Sequence, residues 1–259
     1  MSAEHFKTAL LGDVHANLPA LEAVISHAKQ EGAAAFWNIG DFLGYGAFPD
    51  QVVKRTRKEK FVSIIGNYDL KVLNFPKKDK KWRKKKHPLK WLAFKWAYEN
   101  LSGKSRKFLR SLPVQKMLEI GDRRFLLVHA SPASNEELLE PATPHERLLD
   151  LNRLAESIHG DDISAIIFGH SHQAFTRQVE NTYFINTGSV GRPDDGDPRA
   201  AYAILQVSSQ NIRCQHFRVE YDVDKAVAAV RQNGLPEAFA QMLLRGRDLE
   251  TVLREMSAE

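Results

Sequence analysis

Two aspartates, one asparagine and four histidines recur at one kind of place in the sequence, directly after short apolar runs. Phe6 to Leu11 runs into Gly12-Asp13-Val14-His15, Phe36 to Ile39 into Gly40-Asp41, and Val62 to Ile65 into Gly66-Asn67. Phe125 to Val128 is followed by His129, and Ile166 to Phe168 by Gly169-His170-Ser171-His172. Carboxylate, amide oxygen and neutral imidazole, without thiolate, suit Mn, Fe, Zn or Co rather than soft copper or an iron–sulfur cluster. Seven such side chains exceed the needs of one catalytic ion with an open position and suit a pair sharing a bridging carboxylate. Two ions roughly 3.5–4 Å apart can hold a hydroxide between them and clamp a phosphoryl group for in-line attack, so the pattern points to phosphoester hydrolysis. A single Asp or His after a strand is ordinarily a turn former; the recurrence at five strand ends carries the reading. His5, His27, His87, His145, His159 and His216 lie in helical, loop or tail contexts and are given no role.

For these side chains to converge, the apolar runs must be strands whose carboxyl ends share an edge, where open α/β sheets collect their ligand sites. Short β-prone runs alternate with helix-like stretches, the pattern of an α/β fold. Strands are expected at Phe6 to Leu11, Ala33 to Ile39, Val62 to Ile65, Phe125 to Val128, Ala165 to Phe168, Tyr183 to Ile185 and Ala201 to Val207, and a helix from Leu18 to Gly32. Residues 70–113, rich in Lys and helix formers and holding Trp82, Trp91, Phe94, Trp96 and Tyr98, read as a helical cap insertion. Residues 220–259 read as a helical C-terminal extension, helical from Asp222 and broken by Gly234-Leu235-Pro236 into two helices. No repeat of fixed period is present, and 1–259 reads as a single domain.

The composition is that of an ordinary globular protein: of 259 residues 43% are hydrophobic and 27% charged, which excludes a disordered or fibrous chain. Apolar runs such as Ala33 to Ile39 fall far short of the roughly 20 residues of a membrane span. Met1 to Leu11, with Glu4, does not fit a secretory signal, and Cys214 as the lone cysteine excludes intrachain disulfides and a cysteine-rich zinc site. The cytoplasm is the expected compartment. The net charge of +5 is local: residues 77–86 hold eight basic side chains and Asp79, a net +7, which leaves −2 over the rest.

The series Asp13-Val14-His15, Gly40-Asp41, Gly66-Asn67-Tyr68-Asp69, His129 and Gly169-His170-Ser171-His172 resembles, in order, the D-x-H, G-D, G-N-x-[DE], H and G-H-x-H motifs of the calcineurin-like metallophosphoesterase superfamily. Asp13 to Leu21, Gly40 to Gly46 and Asn186 to Arg199 are more closely similar to a bacterial branch of small cytoplasmic phosphodiesterases and phosphatases. The similarity covers about residues 6–207, and the tail resembles that branch too. It implies a sandwich of two mixed β-sheets flanked by helices, and a hydroxide bridging two divalent ions that attacks phosphorus. One metal would be held by Asp13, His15 and His172 and the other by Asn67, His129 and His170, with Asp41 bridging. Asp41, Asn67, Tyr68, Asp69 and His170 are the expected catalytic residues, and Mn²⁺ the first candidate ion ahead of Fe, Zn or Co.

Two departures bear on substrate. Many members carry His where Tyr68 stands; a phenol is a poor proton donor at neutral pH but still donates a hydrogen bond. The exchange predicts a bias toward phosphodiesters and activated esters, unless Tyr68 only packs beside the site. Relatives often carry Arg where Asp194 stands, so that phosphate contact falls to Arg192 or Arg199, each of which reads equally as a turn-stabilising residue. The Lys-rich segment has two readings as well: a solvated helix face, which is favoured, or an attractor of polyanionic substrate, with Trp82 and Trp91 stacking on a base or anchoring the cap. Nucleic acid as a partner of Lys77 to Lys86 is not favoured, and no membrane partner is expected. The leading substrates are small phosphodiesters or nucleotides, including dinucleoside polyphosphates. A phosphoprotein phosphatase is the enzymatic alternative. A non-catalytic scaffold or nucleic-acid-binding protein on the same fold is the alternative of another class, and loss of metal ligands would be its mark; all seven are present.

Overall fold

In the computed structural model, which describes residues 6–258, the apolar runs pair into strands β1 (Phe6–Leu11), β2 (Ala35–Asn38), β3 (Val62–Ser63), β4 (Gln115–Ile120), β5 (Arg123–Val128), β6 (Ile163–Phe168), β7 (Phe175–Val179), β8 (Thr182–Asn186), β9 (Ala200–Val207) and β10 (Ile212–Val219). The helices are α1 (Leu18–Gln30), α2 (Pro49–Lys58), α3 (Asn67–Leu73), α4 (Phe75–Lys85), α5 (Pro88–Glu99), α6 (Gly103–Ser111), α7 (His145–His159), α8 (Val223–Gln232), α9 (Glu237–Arg245) and α10 (Leu249–Ala258). The sequence readings on Met1 to Glu4 and His5 fall outside the described residues.

Two five-stranded mixed sheets result, in the orders β10-β9-β1-β2-β3 and β4-β5-β6-β8-β7. The neighbours β1, β2 and β3 run parallel in the first, and β5, β6 and β8 in the second; the pairs β10-β9, β9-β1, β4-β5 and β8-β7 are antiparallel. Parallel neighbours need crossovers, supplied by α1, α2 and α7, and these crossovers leave successive carboxyl ends on one edge.

Strand alternation divides the core into layers. Leu10, Trp37, Ile39 and Ile64 from one sheet meet Phe125, Leu127, Ala165 and Ile167 from the other. The opposite faces pack under helices: Ala9 and Leu11 beneath Leu21 and Val24 of α1, and Leu126, Ile166 and Phe168 beneath Leu148 and Leu151 of α7. Phe125 and Leu127 are fully buried, and burying each contributes about 1.5–3 kcal/mol, enough to keep two sheets in register around a polar edge.

Residues 70–113 are helical as expected, although α3 already begins at Asn67. The tail departs from the expectation: it holds three helices, not two. Gly246, at φ 58, ends α9, and the Asp248 carboxylate accepts the Thr251 N–H to start α10; the sequence marks this second break only by glycine, with no proline beside it. β4, β7, β10, α2 and α7 have no counterpart in the sequence reading, because their segments mix polar and apolar residues; β10, for instance, reads Ile-Arg-Cys-Gln-His-Phe-Arg-Val.

Candidate metal centre

The loops that leave β1 and β2 continue to pair past the strand ends. The Asp13 N–H donates to Gly40 O at 3.0 Å, that of His15 to Asp41 O at 3.0 Å and that of Ala16 to Phe42 O at 2.8 Å. From the second sheet, Gly169 N–H donates to His129 O at 2.9 Å, and the His170 N–H crosses to Asp13 Oδ2 at 3.0 Å. Five of the seven candidate ligands take left-handed backbone: Asp13, His15, Asp41, His170 and His172 have φ of 50, 46, 52, 65 and 60°. Such conformations cost of order 1–3 kcal/mol each and persist where the surroundings impose them. Glycine is required beside them: a β-carbon at Gly66 would stand 2.1 Å from Asp41 Oδ1, and one at Gly169 2.3 Å from Asp13 Oδ2.

Six of the seven side chains named from the sequence, Asp13, His15, Asp41, His129, His170 and His172, come together in one cluster. His172 Nε2 lies 3.3 Å from Asp13 Oδ1 and 3.2 Å from His15 Nε2, and His15 Nε2 is 3.8 Å from both Asp13 Oδ1 and Asp41 Oδ2. The same Asp41 Oδ2 lies 3.6 Å from His129 Nε2, and the His129 and His170 ring centroids are 5.1 Å apart. Ligand atoms of Asp13, His15 and His172 lie within 4.8 Å of one another, as do those of Asp13, Asp41 and His129. Two backbone carbonyls orient the rings: His15 Nδ1 faces Leu43 O at 3.0 Å and His129 Nδ1 faces Ile39 O at 2.9 Å, so each Nε2 is turned into the site. His129 Nε2 and Asn67 Oδ1 are buried without a hydrogen-bond partner. Buried polar atoms are rarely left so, and a divalent cation satisfies a bare imidazole nitrogen and an amide oxygen together.

The charges do not balance among themselves. Burial raises the Asp41 carboxyl well above its ordinary range, and the Asp13 carboxylate beside it adds to the shift. Burial acts on Asp13 in the same direction, but His172, His129 and His15 outweigh it and hold Asp13 low. For His172, burial and Arg192 push down while Asp13 and Asp194 prevail and raise it to about 9. Burial and His129 bring His170 down to about 4, and burial drives His15 well below its usual value. Two buried carboxylates and four imidazoles in one pocket thus compete for protons, a competition that cations relieve.

The remaining predicted residues divide. Asp69 is buried, and burial and Asp41 raise it to about 8. Both its oxygens are taken by backbone, Oδ1 by Leu43 N–H and Oδ2 by Gly66 N–H at 3.0 Å each, so it ties the Asp41 loop to the Asn67 turn and has a positioning place. The Tyr68 ring meets His15 edge-on at 5.2 Å, and Arg192 Nη2 lies 3.2 Å from His172 Nδ1. Arg199 instead pairs with Asp197, on an exposed turn, with Nη2 to Oδ2 at 2.7 Å. Trp91 donates its indole N–H to Asp79 at 2.8 Å and packs on Phe75, the anchoring place. Sequence reasoning missed Tyr45, whose ring lies 5.4 Å under the Arg192 guanidinium. The stretch Gly40 to Gly46, already singled out for similarity, was the signal that could have found it.

Comparison with known proteins agrees with this geometry. The Calcineurin-like phosphoesterase superfamily domain matches residues 6–210. An uncharacterized protein of Methanocaldococcus jannaschii is 31% identical over 258 residues, which cover 92% of this chain and 98% of that one. The crystal structure of a metallophosphoesterase from Sphaerobacter thermophilus is similar at 29% identity and a TM-score of 0.69, covering 93% of this chain and 99% of that one. A hypothetical protein of Pyrococcus horikoshii OT3 shares the fold at 21% identity and a TM-score of 0.79, over 93% and 98% of the two chains. Oxygen and imidazole donors gathered on the carboxyl edge of two mixed sheets have their place in that setting: the chain belongs to the calcineurin-like phosphoesterase superfamily, and it is a metal-dependent phosphoester hydrolase.

Proposed function

We propose that the protein hydrolyses small phosphodiesters or nucleotides with two divalent ions, one held by Asp13, His15 and His172, the other by Asn67, His129 and His170, with Asp41 between them. The observation that supports this reading is a pair of buried ligand atoms without a hydrogen-bond partner, Asn67 Oδ1 and His129 Nε2, the latter 3.6 Å from Asp41 Oδ2. Ions there supply Lewis-acid charge to phosphate oxygens and acidify water.

The chain's own residues have separate tasks. The Arg192 guanidinium, with five donors in a fork, suits the non-bridging phosphate oxygens. The Tyr68 hydroxyl donates a hydrogen bond to the leaving oxygen. As water adds to phosphorus and the bond to the leaving oxygen breaks, the departing oxygen takes up a proton, which a phenol supplies poorly; good leaving groups are therefore favoured. Residues 70–113 serve as a cap, with Phe94 packed against Tyr68.

The test is hydrolysis of bis-p-nitrophenyl phosphate beside p-nitrophenyl phosphate, with Mn²⁺ first and then Fe, Zn or Co, against an Asp41→Asn control. Diester turnover that vanishes in the control is expected. No turnover of either compound with any of the four metals would overturn the reading.

A further inference from the structure

We propose that the substrate carries a second phosphate, seated in a cavity between α3, α4 and residues 134–136 beside the metal centre. The proposal rests on the phosphoesterase reading and specifies its substrate. The cavity is about 440 Å³ and begins at Asn67, one of the proposed metal ligands. Lys71 of α3, Asn74 at the junction of the two helices and Lys78 of α4 line it further along. Within α3 a rise of about 1.5 Å per residue puts Lys71 roughly 6 Å along the axis from Asn67, so the cavity leads away from the proposed metal ligand.

The lining is rich in donors. Lys71, Lys78 and Asn135 line it, and the Asn135 Nδ2 is buried without a hydrogen-bond partner, whereas the Asn74 amide already donates to Leu70 O at 2.9 Å. Trp82 also lines the cavity, with the Lys86 ammonium 5.1 Å from its ring centre. Glu136 is the one anion there; its carboxylate holds Lys71 at 2.8 Å, and it is 61% exposed, so the pair is weak and yields to a doubly charged phosphate. The Lys-rich segment is thereby divided. Lys78 lines the cavity, whereas Lys80 and Lys84 are exposed outside it.

The experiment compares fructose 6-phosphate with fructose 1,6-bisphosphate, read by quenching of tryptophan fluorescence in the full-length protein, metal-loaded and after chelation, with Trp82→Phe as the check that the signal arises in the cavity. The bisphosphate is expected to bind about tenfold tighter or more, a factor worth about 1.4 kcal/mol and within reach of two charge-assisted hydrogen bonds. Lys71→Ala with Lys78→Ala should bring the ratio near one, Lys80→Ala with Lys84→Ala should preserve it, and Glu136→Gln should raise it. Equal binding of both sugars by the wild type, or equal loss in the two lysine pairs, overturns the proposal. Binding is read without turnover, so failure of the phosphoesterase reading would show separately, as inactivity toward the nitrophenyl substrates.

Discussion

The hydroxyls of Tyr68 and Tyr45 stand 3.1 Å apart, and Tyr45 in turn rests edge-on against Phe239 of the tail, with ring centres 5.1 Å apart. Tyr68 also meets Phe94 at 5.2 Å, so its ring is held between the cap, the tail and His15. Tyr68→Phe keeps the ring and removes only the hydroxyl. We expect kcat on bis-p-nitrophenyl phosphate to fall about tenfold, the worth of one hydrogen bond, with KM and metal content unchanged. Tyr68→His should shift the ratio of alkyl monoester to aryl diester turnover toward the monoester. A ratio that stays put with chemistry limiting would show that Tyr68 only packs.

Asp41→Asn separates the metal role from the fold. The amide oxygen can still accept the Tyr68 N–H, which Asp41 Oδ1 does at 2.8 Å. Activity should fall by more than the roughly 100-fold typical of losing an outer partner of a metal ligand. Metal-free stability should move the other way. A carboxyl raised on folding is no burden below its unfolded pKa and costs stability as pH rises toward its folded value, so at pH 7–8 the metal-free variant should melt at or above the wild type. Melting curves in excess chelator read this directly.

Metal removal should lower the melting temperature of the wild type, and the effect should grow with pH. Bound at a hundred times its dissociation constant, an ion stabilises by about 2.7 kcal/mol. His172, at about 9, and the raised Asp41 must release protons to bind metal. Apparent metal affinity is therefore expected to rise from pH 6 to 9 and level off beyond. Titration of stability against Mn²⁺ at several pH values checks the slope; a flat profile would count against these ligands.

Arg192 and Arg199 should behave differently. Arg192→Ala is expected to raise KM about tenfold with metal content intact, because a guanidinium aimed at phosphate is lost while the ligands remain. Arg199→Ala removes an exposed pair with Asp197 and should alter KM by less than about twofold.

The ligands were legible in the sequence because each sits within four residues of a strand end, and the glycines that precede several of them have a steric reason, as Gly66 against Asp41 shows. The central strands were legible for the same cause, being apolar on both faces. β4, β7 and β10 lie at or next to sheet edges, where exposed positions admit Lys, Arg and Gln and blur the period of two. Asp69 stands in the motif, but its two backbone partners could not be read there, since hydrogen bonds to loop amides leave no mark in composition. Tyr45 and Arg192 meet from positions 147 residues apart, which no local pattern encodes.

The proposed ligands come from both layers. Asp13, His15, Asp41 and Asn67 follow strands of the first sheet, and His129, His170 and His172 follow strands of the second. Ions seated among them would act as a clasp along one seam of the sandwich, joining leaves that elsewhere meet through side-chain packing and hydrogen bonds such as that of His216 to Asn186 O. When the clasp is released, backbone amides near Asp13, Gly40 and Gly169 should exchange with solvent first, while those in the middle of β1 and β6 keep the protection of the apolar layer between the sheets. The cofactor would then be structural as well as catalytic, and its loss would be felt as a parting of two sheets before any change in the helices around them.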